Sequence, residues 1–298
     1  MAEDTGYGGG VSSPPSILDA IVRDKRDEVA RRRREISRAD LERACADLPA
    51  TRNFEGALRA APGTVALIAE VKKASPSRGL LAPDRPWDPV GLARTYADNG
   101  AAAISVLTDE KYFQGHLDLL ARIRAAVRPP LLRKDFTIDE YQLWESRAAG
   151  ADAVLLIVAI LERALLRDLL AAAKGLGLGA LVEAHTAAEL DTAVGAGARV
   201  VGINNRDLRT FETRLETTIG LLPTIPPGVT VVSESGFATA ADVRRVVDAG
   251  AHAVLVGEGL VRASDVAAKV RELTLAEGRD SLPARSAGGL GGNVSCPP

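Results

Sequence analysis

The segment 70–79 carries the residues that suggest chemistry most directly. It follows the apolar run 65–69, which is typical of a buried strand. Because side chains alternate along a strand, Glu70 and Lys72 are expected to point to the same side. A polar Ser-Pro-Ser-Arg-Gly turn comes directly afterwards. Opposite charges paired at the end of a buried strand indicate either a structural salt bridge or part of a site for a ligand.

Lys134 and Glu183 extend this pattern, because each stands at the end of another apolar run. A lysine beside a carboxylate stays protonated and can donate a proton, while burial draws its pKa toward the working pH. A Schiff base from Lys72 or Lys134 is the alternative use of such a lysine. The residue types therefore predict acid–base or amine chemistry at strand ends.

Strand-like apolar runs alternate with helical patterns along most of the chain. Runs without polar alternation are typical of strands covered on both faces, as in a parallel sheet. Eight such runs predict an α/β fold, a single (β/α)8 TIM barrel. The alternative, a doubly wound open sheet, is disfavoured because no G-x-G-x-x-G follows the first strand. We predict strands at 65–72, 102–108, 131–135, 153–157, 179–183, 200–204, 230–233 and 253–257.

Two helices, at 16–37 and 40–47, are expected before the first strand, where they would cover or flank the barrel mouth. The run 31–34 of four arginines is interpreted as a solvated helix end rather than a phosphate-binding patch. Segments 1–15 and 279–298 are rich in Gly, Ser and Pro and are predicted to be flexible tails around one domain at 16–278.

Composition excludes several classes of protein. The net charge of −2 gives no indication of nucleic acid or an anionic membrane as a partner. No apolar run approaches the ~20 residues of a membrane span, and the acidic N-terminus lacks a signal-peptide pattern. We expect a cytoplasmic monomer or weak homo-oligomer. No metal site or disulfide is expected, because the cysteines and histidines lack ligand-like spacing: Cys45, Cys296, His116, His185 and His252.

Polar residues collect where the predicted strands end, and in a barrel these ends meet at one mouth. Desolvating several charges together is costly unless they serve a ligand. The set of strand ends comprises Glu70, Lys72, 133–136, Glu183, 204–207, 233–236 and 257–259.

The last two strand ends suggest what the ligand carries. Ser235, Gly236 and Gly257 are small residues that expose backbone N–H groups just before a helix, as in barrel phosphate sites. Ser75 could add a hydroxyl. Unless these glycines only form tight turns, they predict a small phosphorylated substrate.

Seven segments, in order, resemble the indole-3-glycerol phosphate synthase family over about residues 16 to 273. They are 17–19, 70–79, 107–115, 132–136, 180–183, 202–208 and 233–236. The resemblance implies a cofactor-free conversion of 1-(2-carboxyphenylamino)-1-deoxyribulose 5-phosphate to indole-3-glycerol phosphate, CO2 and water, in tryptophan biosynthesis.

The resemblance also implies a role for each matching residue. Lys134 would be the general acid on the substrate ketone, and Glu183 would support proton transfer. Glu70 with Lys72 would hold the aromatic carboxylate or take part in dehydration. Further roles follow: Asn204 and Glu234 would orient hydroxyls and lysines, Arg206 would act near the anthranilate, Ser75, Ser235, Gly236 and Gly257 would bind phosphate, and Pro76, Phe113, Phe136, Leu155 and Leu208 would wall the apolar pocket.

Glu258 departs from the Ser or Thr that many members of the family carry after the glycine of the eighth strand. A carboxylate aimed at a phosphate would repel it. We therefore expect the Glu258 side chain to turn away, so that only its backbone N–H contributes to phosphate binding.

Two other functions are compatible with such a barrel. One is a different phosphosugar enzyme, such as a ribulose-phosphate isomerase type, and the Glu-x-Lys-x-x-Ser-Pro-Ser motif argues against it. The other is a barrel that binds a phosphorylated ligand without turnover, which would be expected to have lost one of Lys72, Lys134 or Glu183. The loop 74–89 is the candidate lid.

Overall fold

The computed structural model describes residues 17–59, 64–207 and 211–275. Its sheet is a closed barrel of eight parallel strands, as predicted, and each strand ends within one residue of the predicted bounds. The predicted tails at 1–15 and 279–298 lie outside the described residues. The strands are β1 (Ala66–Val71), β2 (Ala103–Leu107), β3 (Leu131–Lys134), β4 (Ala153–Ile157), β5 (Gly179–Ala184), β6 (Val200–Asn204), β7 (Thr230–Glu234) and β8 (Ala253–Val256).

The barrel closes because β1 pairs with both β2 and β8, which rules out the open-sheet alternative. The register places Glu70 opposite Ser105, and Asn204 opposite Glu234. Since all eight strands run the same way, their carboxyl ends meet at one rim. A short hairpin, Ala74–Ser75 paired with Gly79–Leu80, follows β1 above this rim.

Helices form the outer layer and the N-terminal extension. Their N-caps are mostly Ser, Thr, Asp or Asn side chains that accept from a backbone N–H of the first turn. The helices are α1 (Ile17–Glu35), α2 (Arg38–Ala46), α3 (Phe54–Ala57), α4 (Pro89–Asp98), α5 (Glu110–Phe113), α6 (Leu119–Arg124), α7 (Glu140–Ala148), α8 (Arg163–Gly175), α9 (Ala187–Gly195), α10 (Glu216–Leu221), α11 (Ala240–Asp248), α12 (Glu258–Val261) and α13 (Val266–Leu273), with 3-10 turns at Val158–Ile160 and Leu222–Thr224.

Strand side chains divide by parity between two apolar clusters. In β4, Val154 and Leu156 pack outward in the layer under the helices, whereas Ala153, Leu155 and Ile157 belong to the interior cluster. This two-residue alternation is what a pleated strand imposes. Both faces are therefore buried, which explains the continuous apolar runs of the sequence.

The amino-terminal end of the barrel is closed by α3, a helix that the sequence analysis did not predict. Phe54 and Leu58 are buried in the interior cluster. Gly179, at the start of β5, lies so close that a Cβ there would be 3.2 Å from the Phe54 Cβ. The Asn53 side chain caps this helix by accepting from the Gly56 N–H at 2.8 Å.

At the opposite end, α1 lies beside the carboxyl rim, as predicted for the N-terminal helices. It buries Ile21, Lys25 and Val29, which recur every four residues along one face. The interpretation of 31–34 as a solvated helix end was wrong for Arg32. Its guanidinium is only 14% exposed and pairs with Glu145 of α7 at 3.0 Å.

A second set of buried polar contacts holds the amino-terminal end together. Asp152, just before β4, is fully buried and accepts from the backbone N–H groups of Arg52 at 2.7 Å and Leu131 at 2.9 Å. Arg124 adds an ion pair at 2.8 Å. This carboxylate joins the segment before α3 to the starts of two strands, so its role is structural.

Replacing Asp152 with asparagine should lower the free energy of unfolding by about 3 kcal/mol, because an amide cannot accept from all three buried donors. Urea denaturation would measure the change. Asp168→Asn is the matched control, since Asp168 pairs with Arg167 while both side chains are 68% exposed. That control should cost less than about 1 kcal/mol, and equal losses in both variants would contradict a structural role for Asp152.

Candidate active site

A cavity of about 500 Å3 opens at the carboxyl rim of the barrel. Its floor comes from the ends of β1, β3, β6, β7 and β8. The residues that line it are Glu70, Lys72, Arg78, Lys134, Asn204, Arg206, Glu234, Ser235, Gly236, Phe237, Ala238, Leu255, Val256, Gly257, Glu258, Gly259 and Arg262. A second cavity of about 380 Å3 shares Asn204 and Arg206 with the first and reaches Glu183 and Leu18 of α1.

Strand parity explains why the charged residues point inward. Lys134 lies two positions after Leu132 of the interior cluster, Glu183 two after Leu181, and Glu234 two after Val232. Each is therefore carried on the interior face of its strand, one pleat above the apolar core. The sequence places these residues at strand ends, and the closed barrel brings them together.

Lys134 lies at the centre of the site. Its Nζ is 3.5 Å from Glu183 Oε2 and 3.8 Å from Glu234 Oε2. Lys72 makes a closer pair with Glu70, at 2.6 Å. The Asn204 amide donates to Glu183 Oε1 at 3.1 Å. The lysines are 17–18% exposed while the three carboxylates are nearly buried, so the ammonium groups face the open cavity.

The pKa shifts follow from burial and from the neighbouring charges. Burial opposes the charged form of Lys134, but Glu183, Glu234 and Glu70 outweigh it and raise the lysine pKa. Burial would raise the pKa of Glu70, yet Lys72 and Lys134 hold it below its usual value. Burial and the charge of Glu183 together raise the pKa of Glu234 well above its usual range.

The raised pKa of Glu234 favours its neutral form, which reduces the negative charge that the three carboxyl groups place around Lys134. Among the described residues, Glu183 Oε2 and Glu234 Oε1 are buried acceptors without a hydrogen-bond partner. Unmet acceptors beside a protonated lysine can receive hydroxyl or amine protons from a ligand, and the lysine can supply a proton.

Two glycines make room for this cluster. A Cβ at Gly202 of β6 would overlap the Glu234 carboxylate, and one at Gly257 after β8 would overlap the Glu70 carboxylate. The same Cβ at Gly257 would lie 3.1 Å from Lys72 Nζ. Both positions therefore need glycine for close packing.

The loops after β7 and β8 form the other side of the cavity. Ser235 has φ of +70° and Gly236 of +92°, so the chain turns through the left-handed region directly after Glu234. This conformation costs a serine about 1 kcal/mol, a strain often found at functional sites. The Ser235 hydroxyl donates to Asn204 Oδ1 at 3.1 Å, which ties the turn to the charged cluster.

Three arginines surround Glu258 at the rim of the cavity. Its carboxylate is 3.2 Å from Arg262 Nη1, 3.5 Å from Arg78 Nε and 3.8 Å from Arg206 Nη2. Three cations around one carboxylate leave a net positive rim, which favours an anionic ligand. The prediction that Glu258 serves a phosphate only through its backbone N–H stays a prediction.

The residues predicted to wall an apolar pocket occupy different places. Phe113 and Phe136 lie side by side, with ring centroids 6.1 Å apart, and Leu155 is buried with Phe136 in the interior cluster. Pro76, in the turn of the hairpin, is exposed. Ser75 lies in the same hairpin, outside the lining of the main cavity, and Leu208 lies outside the described residues.

Sequence reasoning missed the rim arginines Arg78 and Arg262. Arg78 belongs to the Ser-Pro-Ser-Arg-Gly turn, so its place beside the end of the first strand was a signal that could have found it. Arg262 lies just after α12 and had no such signal. Within the described ranges, no group of His, Cys, Asp or Glu could hold a metal ion, and no helix is long and apolar enough to cross a membrane.

Solved structures resemble this fold at low sequence identity. The 3-hexulose-6-phosphate synthase from Salmonella typhimurium superposes with a TM-score of 0.58 at 15% identity, over 72% of this chain and 99% of that one. Thiamine phosphate pyrophosphorylase from Pyrococcus furiosus gives 0.55 at 19% identity, over 71% and 96%. Likeness at this level shows the barrel fold alone.

Curated relatives are far more similar in sequence. The indole-3-glycerol phosphate synthase of Roseiflexus castenholzii is 53% identical over 266 residues, 87% of this chain and 98% of the relative. That of Dehalococcoides mccartyi, strain 195, is 50% identical over 260 residues, 86% of this chain and 99% of the relative. The family profile described as indole-3-glycerol phosphate synthase matches residues 18–273. This match spans the barrel and the helices before it, and the chain belongs to the indole-3-glycerol phosphate synthase family.

Proposed function

We propose that this chain is an indole-3-glycerol phosphate synthase of tryptophan biosynthesis, a carboxy-lyase that needs no cofactor. It converts 1-(2-carboxyphenylamino)-1-deoxyribulose 5-phosphate to indole-3-glycerol phosphate, CO2 and water. The observation that carries this proposal is the position of Lys134, an ammonium group between Glu183 and Glu234 at the floor of a positively rimmed cavity.

Ring closure is the step that needs the acid. The ring carbon that bears the carboxylate attacks the keto carbon of the sugar chain, and Lys134 donates a proton to the keto oxygen as the new bond forms. The intermediate carries positive charge on its nitrogen, which the carboxylate of Glu183 can stabilise. Loss of CO2 then returns the electron pair to the ring.

Dehydration needs an acid and a base together. The hydroxyl made from the ketone leaves as water, and a proton leaves the neighbouring carbon to complete the indole. Lys72, 2.6 Å from Glu70, is placed to hold the aromatic carboxylate or to take part in this step. Glu183 supports proton transfer, while Asn204 and Glu234 orient the lysines and the substrate hydroxyls.

The two ends of the substrate differ in chemistry, and so do the two sides of the site. The turns at Ser235–Gly236 and Gly257–Glu258, with the arginine rim, suit the phosphate. Phe113, Phe136 and Leu155 lie outside the lining of both cavities, and we propose that they receive the benzene ring. Ser75 and Pro76 lie in the hairpin after β1. When this loop closes, Ser75 would contact the phosphate and Pro76 the benzene ring. The cytoplasmic location and the monomeric or weakly self-associating state stay predictions of the sequence.

The Lys134→Ala variant should lose about 10²–10⁴-fold in kcat, because the general acid is removed. Indole fluorescence after mixing with the carboxyphenylamino substrate measures the rate. Lys73→Ala is the matched control, because Lys73 borders a separate groove beside Trp87 and should leave the rate unchanged. A wild-type protein without turnover would contradict the proposed function, and an active Lys134→Ala variant would contradict the assignment of the acid.

Glu234→Gln should become more stable relative to wild type as the pH rises. The raised pKa of Glu234 means that the folded protein keeps a proton that the unfolded chain releases above its own, lower pKa. Wild-type stability therefore falls as pH rises through that interval, and glutamine removes this loss. Urea denaturation of both proteins between about pH 4 and about pH 8 measures the difference in their free energies of unfolding. A difference that stays constant over this range would contradict the prediction.

Gly257→Ala should reduce kcat/KM by about 10–100-fold, because the new methyl group displaces the Glu70 carboxylate and the lysine paired with it. Steady-state kinetics, with a thermal melt to confirm folding, tests this. Gly220→Ala in α10 is the control, since a Cβ there meets open space. Normal kinetics in Gly257→Ala would show that the contact between β1 and β8 is unimportant.

A further inference from the structure

The N-terminal helix α1 places a fully buried ammonium group at the carboxyl rim, outside the cavity. Lys25 is 1% exposed, and its Nζ lies 2.9 Å from Asp135 Oδ1, 3.0 Å from Asp109 Oδ2 and 2.7 Å from Glu28 Oε2. Burial opposes its charge, but these carboxylates outweigh that and raise the lysine pKa. The proposed chemistry makes no use of this group.

The first partner, Asp135, adjoins Lys134 and Phe136, which is one of the residues proposed to contact the benzene ring. It directly follows Lys134 in the chain, and its Oδ1 accepts from the backbone N–H of Phe136 at 2.8 Å. Its Oδ2 accepts from the Thr108 hydroxyl at 2.5 Å and from Arg133 at 3.1 Å. Lys25 thus pairs with the same carboxylate that accepts a hydrogen bond from the Phe136 backbone.

The second partner, Asp109, supports the helix that carries Phe113, which is also proposed to contact the benzene ring. It is the N-cap of α5, where its Oδ1 accepts from the Tyr112 N–H at 2.8 Å, and α5 carries Phe113. Neighbouring contacts from α1 support this helix, since Asp24 pairs with Lys111 at 2.6 Å. One ammonium group therefore bridges the carboxylate that caps α5, the helix that carries Phe113, and the carboxylate that accepts from the Phe136 backbone.

An apolar contact would have docked α1 equally well. Ile21 and Val29 flank Lys25 on the buried face, and replacing a buried ion pair by well-packed apolar residues is often neutral or stabilising. An apolar side chain cannot hold two carboxylates in place, whereas the ammonium nitrogen of Lys25 holds each of them at about 3 Å from itself. The bridge specifies a geometry, namely the position of α5 relative to the end of β3.

We infer that Lys25 is a positioning residue that sets the position of Phe113 relative to Phe136, and so the fit of the substrate's benzene ring against these two side chains beside Lys134. This inference rests on the proposed function, because it places that ring against Phe113 and Phe136. It makes α1 part of the recognition of the aromatic end of the substrate. The phosphate end, on the far side of the cavity, is independent of Lys25.

The test is Lys25→Met, which keeps an unbranched side chain one atom shorter than lysine and removes its charge. We expect kcat/KM to fall by about 10–100-fold, as misplacement of a bound substrate does. Isothermal titration calorimetry should show about tenfold weaker binding of indole-3-glycerol phosphate, while the affinity for inorganic phosphate stays within about twofold of wild type. The difference between the two ligands is the signature that a general loss of structure would not produce.

Two further variants keep the test decisive. Asp109→Asn retains an acceptor for the cap of α5 but removes the charge that pairs with Lys25. It should show the same difference between the two ligands, and it replaces Lys25→Met as the test if that variant does not fold. Asp152→Asn is the control for lost stability, because its buried carboxylate lies at the other end of the barrel. At a temperature where all variants are folded, it should bind both ligands as wild type does.

The outcomes separate the two proposals. A wild-type protein that neither turns over the substrate nor binds indole-3-glycerol phosphate would overturn the proposed function. An active wild type with unchanged kinetics and binding in folded Lys25→Met, or in Asp109→Asn, would overturn the role of Lys25 alone. Equal weakening of both ligands, or the same loss in Asp152→Asn, would also overturn it.

Discussion

The site depends on one electrostatic constraint, the burial of three carboxylates around the ammonium group of Lys134. Glu70, Glu183 and Glu234 are almost fully buried, so the ammonium groups of Lys72 and Lys134 replace water as the partners of their charges, and the raised pKa of Glu234 favours its neutral form. The pKa shifts of Lys134, Glu70 and Glu234 each depend on the charges of their neighbours, so these groups act together. Gly202 and Gly257 serve the same constraint, because only a missing side chain lets the carboxylates approach this closely.

The barrel separates stability from chemistry along its axis. At the amino-terminal end, Asp152 accepts from the backbone N–H groups of Arg52 and Leu131 and pairs with Arg124, and α3 closes the interior with Phe54. At the carboxyl end, acceptors of Glu183 and Glu234 remain unmet and Ser235 is strained. Polar groups that are satisfied hold the fold, and polar groups that are not are available to a substrate.

The N-terminal extension acts at both ends. Its last helix, α3, closes the amino-terminal end of the barrel. The first helix, α1, reaches the carboxyl rim through Lys25 and lines the second cavity with Leu18. The extension is therefore a structural part of the barrel. Its buried lysine bridges loops that follow β2 and β3, which lie far from it in sequence.

The sequence by itself determined the eight strands, because strands buried on both faces need continuous apolar runs. It also placed Glu70, Lys134, Glu183 and Glu234 at strand ends, and the two-residue period of a strand put each on its inner face. The tertiary structure alone decided which partners these charges have: Lys134 with Glu183 and Glu234, Glu258 with three arginines, and Lys25 with Asp109 and Asp135. These pairs join residues from different strands and loops, and their distances and pKa shifts follow from closure of the barrel, which no local pattern in the chain encodes.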